Sequence, residues 1–161
     1  MAGKAQQLFT VLQSEYKTSA DLLESLKLER QALIDADIDR VNELSEKKQP
    51  LVLQLELLGK QRETILKSVG FNPDKAGLSA FISNLPEKQN QTMNKVLSQL
   101  KAMAEACRRQ NQLNGGIVNV NRQYVQRAMS IFRGRDTNAD AYGPGGEYTN
   151  QVVRQPLLGR V

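Results

Sequence analysis

From Phe9 onward the chain places Phe9, Leu12, Tyr16, Ser19, Leu23, Leu26, Arg30 and Leu33 at alternating steps of three and four. That spacing puts side chains on one stripe of an α-helix. Asp35, Asp37 and Asp39 follow, supplying oxygens and negative charge where a new helix has unsatisfied amides, so a short turn is expected there. A second stripe, Val41, Leu44, Lys48, Leu51, Leu55, Leu58, Arg62, Ile65 and Val69, keeps the same alternation and stops at Gly70-Phe71-Asn72-Pro73. It predicts a second helix antiparallel to the first. Pro50 lies inside this stripe, lacks an amide donor and disfavours helix at Gln49. Because the stripe holds its phase across Pro50, a kink is predicted rather than a break.

Residues 74–85 place Leu78, Phe81, Ile82 and Leu85 at helical spacing, enough for a short helical lid over one end of the hairpin. Pro86 suits the first turn of a further helix. From there Met93, Leu97, Leu100, Ala104 and Cys107, and then Val118, Val125, Ala128 and Phe132, hold one register. This predicts a helix over residues 87–133, roughly 70 Å long at about 1.5 Å per residue. The first two helices reach about two thirds of that, so the distal part of the long helix is expected to lack an intramolecular partner. It nevertheless carries Ile117, Val118, Val120, Val125, Ile131 and Phe132, an apolar face on which a guest helix could dock. Gly115-Gly116 at its root cost roughly 1 kcal/mol each relative to Ala and mark a candidate hinge. Of the 28 residues from Gly134 onward, five are Gly and two are Pro, which predicts a flexible tail. The expected organisation is a helical domain over 1–134 and a tail over 135–161, the tail holding Tyr142-Gly-Pro-Gly-Gly146.

Composition sharpens this into an all-α expectation: an elongated antiparallel bundle or coiled coil of three long helices, a short connecting helix and the tail. The 161 residues suit one domain, and 40% hydrophobic content with 5% aromatic and no Trp favours long helices over a sheet-based core. The net charge of +5 comes from residues 86–134, whose eight basic and two acidic side chains give +6 against −1 over residues 1–85 and zero over 135–161. These cations are spread over a dozen turns without interleaved aromatics, so a partner-facing or solvated face is read in preference to nucleic-acid binding. With no histidine and one cysteine, no imidazole base, nucleophile pair, common zinc site or internal disulfide can be assembled. No catalytic residue, metal or cofactor is expected, and Cys107, on an apolar stripe, reads as a core residue. The absence of a long apolar run or a signal-like N-terminus leads to the expectation of a cytoplasmic protein without membrane insertion.

Two sets of polar residues interrupt the apolar stripes. Lys48 and Arg62 are expected to snorkel or to pair with first-helix carboxylates such as Glu15 or Glu24. Asn111, Asn114 and Asn121 fall on the seam of the long helix, where Asn either fixes register or recognises the backbone of a guest. Both readings stay open, since glycine directly after Asn114 permits close approach.

Three segments together resemble the FlgN-type flagellar type III export chaperones, which escort the hook-filament junction proteins. Lys48, Leu51, Leu55, Leu58 and Arg62 are similar to the family's second-helix pattern of a lysine, a leucine ladder and an arginine. Asn111-x-x-Asn114-Gly115, followed by Ile117 and Val118, resembles its Asn-x-x-Asn-Gly signature, and Tyr142-Gly-x-x-Gly146 resembles its tail motif. Pro50 and the doubled glycine at Gly116 depart from the pattern. The resemblance implies a non-enzymatic cytoplasmic chaperone that binds the C-terminal amphipathic helices of hook-filament junction proteins, prevents their premature assembly and delivers them to the export apparatus. It further implies a cargo side over residues 117–132, including Ile117, Val118, Val125, Ile131 and Phe132, with Asn111, Asn114 and Gly115 shaping its start. Tyr142 would contact the membrane-embedded export gate. The competing reading is a generic coiled-coil adaptor or structural protein that uses the same distal helix for homo-oligomerisation.

Overall fold

The computed structural model describes the backbone of residues 2–132 and the side chains of residues 3–118. These residues form four helices: α1 (Ala2–Ile34), α2 (Ile38–Ser68), α3 (Lys75–Ser83) and α4 (Glu87–Phe132). No strand occurs among the described residues. The fold is an all-α bundle in which α1 packs along both α2 and α4, while α2 and α4 approach one another only sparsely.

α1 buries Ala5, Leu8, Leu12, Glu15, Ser19, Leu22, Leu26, Glu29 and Leu33. The steps alternate three and four without interruption, a heptad seam. Leu12, Ser19, Leu26 and Leu33 lie on the stripe read from sequence. The other half of the seam does not: Phe9, Tyr16 and Leu23 are half-buried and Arg30 is exposed, and Leu8, Glu15, Leu22 and Glu29 take the inner positions. The buried glutamates helped conceal this: an apolar pattern search steps over Glu15 to Tyr16, and the phase so set carries Phe9, Leu23 and Arg30 with it.

The α1–α2 pairing explains those glutamates. Glu29 meets Lys48 and Glu15 meets Arg62, while Leu22 clusters with Leu55 and Leu8 with Val69. Ion pairs and apolar clusters thus alternate along the antiparallel seam. On its other side α1 runs parallel to α4: the Cys107 thiol donates to the Ser19 carbonyl and Asn114 Nδ2 to the Leu26 carbonyl, both across 88 residues of sequence. The same offset recurring one heptad later fixes the register of α4 on α1.

The main core lies at the end where α1 begins. Phe81 and Ile82 of α3 are buried there with Leu78, Leu85, Met93 and Leu97, and Phe71 meets Phe81 edge to face at 5.4 Å, so α3 is the expected lid. Helix ends follow the local chemistry. Asp37 Oδ1 accepts from the Arg40 amide and Asp74 Oδ1 from the Gly77 amide, capping α2 and α3. α2 ends with Gly70 at φ 83°, its amide donating to the Lys67 carbonyl and that of Phe71 to the Leu66 carbonyl, the paired bonds of a Schellman cap. α1 ends the same way around Ala36, at φ 52°. α2 continues across Pro50. α4 continues across Gly115-Gly116, where a Cβ would meet nothing within 4 Å; the candidate hinge is continuous helix, and packing within the chain does not require its glycines. Ala104, placed on the seam from sequence, is exposed.

A non-glycine residue in the left-handed region costs about 1–2 kcal/mol, offset in part by the extra unfolded-state entropy of glycine. Ala36→Gly should therefore stabilise the chain by about 0.5–1 kcal/mol in urea unfolding. A destabilisation would show that the turn is not strained.

Candidate functional site

Near the root of the distal half of α4 the three long helices are tied by a polar cluster. Glu29 of α1 is fully buried; its Oε2 accepts from Lys48 Nζ at 3.0 Å and its Oε1 from Asn114 Nδ2 at 2.9 Å. The same amide nitrogen donates to the Leu26 carbonyl at 2.8 Å, and Asn114 Oδ1 accepts from Gln110 Nε2 at 3.0 Å. Asn114 thus spends its donors and an acceptor inside the seam, the arrangement of a register-fixing residue. Lys48, 1% exposed, is buried with its ammonium on Glu29. The partner read from sequence as Glu15 or Glu24 is Glu15 for Arg62 and Glu29 for Lys48. Glu24 is exposed.

Arg62 Nη1 donates to both Glu15 oxygens, at 2.6 and 2.8 Å. Burial pushes the Glu15 carboxyl above its ordinary value of 4.5, and the charge and hydrogen bonds of Arg62 pull it only part of the way back. Cys107 is buried and its thiol is pushed up by burial, the environment of an inert core thiol.

The residues assigned to a cargo side divide into two groups. Asn111 and Gly115 are half-buried beside Asn114, and Ile117 and Val118 pack, half-buried, against Ala32, Leu33, Val41 and Leu44. α1 and α2 therefore cover α4 further along than helix lengths alone imply. The side chains of Val125, Ile131 and Phe132, and Tyr142 with its whole segment, lie outside the described residues. The backbone of α4 is described to Phe132. With the 88-residue offset, the end of α1 at Ile34 is level with residue 122, and α4 extends ten residues, about 15 Å, past the turn. By sequence the heptad continues there through Val118, Val125 and Phe132 and through Ile117, Tyr124 and Ile131.

Sequence reading missed two surfaces. Ile34 and Ile38 flank the α1–α2 turn, 55% and 67% exposed. A groove of about 680 Å³ between α1 and α2, at the opposite end of the hairpin, is lined by Val11, Leu57, Ile65, Lys4 and Lys60 among others. Solvent exposure of an apolar side chain depends on where helices end and how far they splay, which periodicity does not report. Among the described residues, no group of three or more acidic or cysteine side chains is placed to hold a metal, and no helix is long and apolar enough to cross a membrane. A family model described as FlgN protein matches residues 1–150. No curated protein and no solved structure matches the chain.

Removing one partner of a buried ion pair typically costs about 3–5 kcal/mol. Lys48→Ala should therefore lower unfolding stability by about that amount, against less than about 0.5 kcal/mol for Leu53→Ala on the exposed face of α2; equal, small effects would contradict the buried cluster. Glu15 gives a pH test. A carboxyl with a raised folded value contributes stability that is fully present below 4.5 and lost as pH rises through the folded value. Relative to the parent, Glu15→Gln should become more favourable as pH rises above about 4.5 and through the raised folded value, in parallel unfolding series. A trend in the opposite sense would mean that Arg62 outweighs burial.

Proposed function

The chain belongs to the FlgN family, a family of flagellar export chaperones rather than enzymes whose members bind hook-associated proteins, and on that premise we propose the cargo and the site. The cargo is the C-terminal amphipathic helix of hook-filament junction proteins, held in the cytoplasm against premature assembly. One observation carries this reading: α4 runs past the α1–α2 turn while its heptad register continues in sequence. A helix that ends its own intramolecular pairing but keeps an apolar repeat is suited to receive a guest helix. The contacts are then made by Val125, Ile131 and Phe132. Asn111, Asn114, Gly115, Ile117 and Val118 form the root that fixes the direction of the overhang. Residues 135–161 act as a tail that docks on the export gate through Tyr142.

Burying about 500 Å² of apolar surface corresponds to roughly 12 kcal/mol before ordering costs, so micromolar or tighter affinity is expected. In calorimetric titration with the C-terminal helical segment of a junction protein, Val125→Asp with Phe132→Asp should weaken binding at least 100-fold with helicity unchanged by circular dichroism. Unaltered affinity in the double variant would refute this site. A stable oligomer that protects the distal helix and takes up no cargo would favour the adaptor reading.

A further inference from the structure

The α1–α2 turn stands at the foot of the α4 overhang and presents two large apolar side chains to solvent. Ile34, the last residue of α1, and Ile38, the first of α2, are two of the most exposed large hydrophobic side chains described. Neither serves the core: the cluster beneath them is completed by Ala32, Leu33, Val41 and Leu44 with Ile117 and Val118. The turn is held by backbone bonds from Ala36 to the Leu33 carbonyl and from Asp37 to the Ala32 carbonyl, so the two isoleucines are presented on a fixed support. Around them Asp35, Asp37 and Asp39 are all exposed. The C-terminal end of α1 and the N-terminal end of α2 offset one another here as dipoles, which leaves the carboxylates to set the sign of the tip.

Resting on the function proposed above, we propose that this tip is the end-plate of the cargo site. The cargo helix stands on Ile34 and Ile38, occupies the column that α1 vacates beside α4, and directs its N-terminus at the turn. Two observations select this occupant and its polarity. The α1–α4 seam is a parallel, in-register interface whose α4 side continues beyond α1, and a helix extending that interface lies directly above the end of α1. An acidic tip complements the free amides and partial positive charge at a helix N-terminus and opposes a C-terminus. The guest therefore runs parallel to α4, as α1 does.

The full chain is titrated with the junction-protein helical peptide. Replacing both tip residues, Ile34→Ser with Ile38→Ser, should weaken binding at least 10-fold, whereas Leu57→Ser in the distant α1–α2 groove should leave it unchanged. Both tip positions are exposed, so the fold is retained, as circular dichroism will report. Orientation is read with Ile38→Cys, since the native Cys107 is buried: a short bismaleimide should join it to a peptide bearing cysteine at its N-terminal end and not at its C-terminal end. Parent-like affinity in the double variant, or cross-linking only to the C-terminal cysteine, overturns the end-plate while leaving the distal-helix site standing. Failure of the unaltered chain to bind the peptide overturns the parent reading and this one with it. If the double variant instead dissolves a self-associated form without changing peptide affinity, the tip covers a second copy of this chain and the inference is wrong.

Discussion

Along the seam between the first two helices the ion pairs Glu29–Lys48 and Glu15–Arg62 alternate with apolar clusters, one holding Leu22 and Leu55 and the other Leu8 and Val69. The alternation admits one register. A slip of one heptad would set Lys48 against Leu22 and Arg62 against Leu8, stranding buried charges at several kcal/mol each. A slip of two heptads restores one pair and removes the other from the hairpin. The ion pairs need add little net stability to do this, since burying charge is costly in itself. Their effect is to make the wrong pairings worse, as a lone Asn does in a coiled-coil seam.

The second oxygen of Glu29 extends this constraint to the last helix. Through Asn114 it sets α4 on α1, and the Cys107 thiol repeats the offset one heptad earlier. With α2, α1 and α4 locked together at one level, the place where α1 ends relative to α4 is no longer adjustable. The overhang and its direction follow from hydrogen bonds made within the body of the bundle, so, on the proposed function, residues that touch no cargo decide where it sits. The glycines after Asn114 fit this picture differently from a hinge: the helix is continuous through them and packing leaves room for larger side chains.

Much of this architecture was legible in the sequence because helical periodicity, aspartate caps and Gly-Phe-Asn-Pro punctuation are local signals. The lid residues Leu78, Phe81, Ile82 and Leu85 were read correctly; for Lys48 and Arg62 the sequence left snorkelling or pairing with Glu15 or Glu24 open, and of these Glu15 alone is a partner, for Arg62. What escaped was non-local. Glu15 and Glu29 look like surface residues until their partners some 47 and 19 residues away are known, and stepping past them rotates half of the α1 stripe by one position. The extent to which α1 covers α4 depends on the 88-residue offset, which no local pattern encodes. Likewise periodicity does not single out Ile34 and Ile38, whose exposure follows from where the turn is placed.

On the proposed function, a bundle locked by buried polar pairs projects one helix as a receptor for another. Amide hydrogen exchange on the full chain, with and without the junction-protein helical peptide, addresses it most directly. Binding should add protection over residues 119–132 and at the turn around residues 34–38, while the already protected seam through Lys48 and Asn114 is unchanged. Protection appearing instead in the groove beside Leu57, with residues 119–132 exchanging as before, would contradict it.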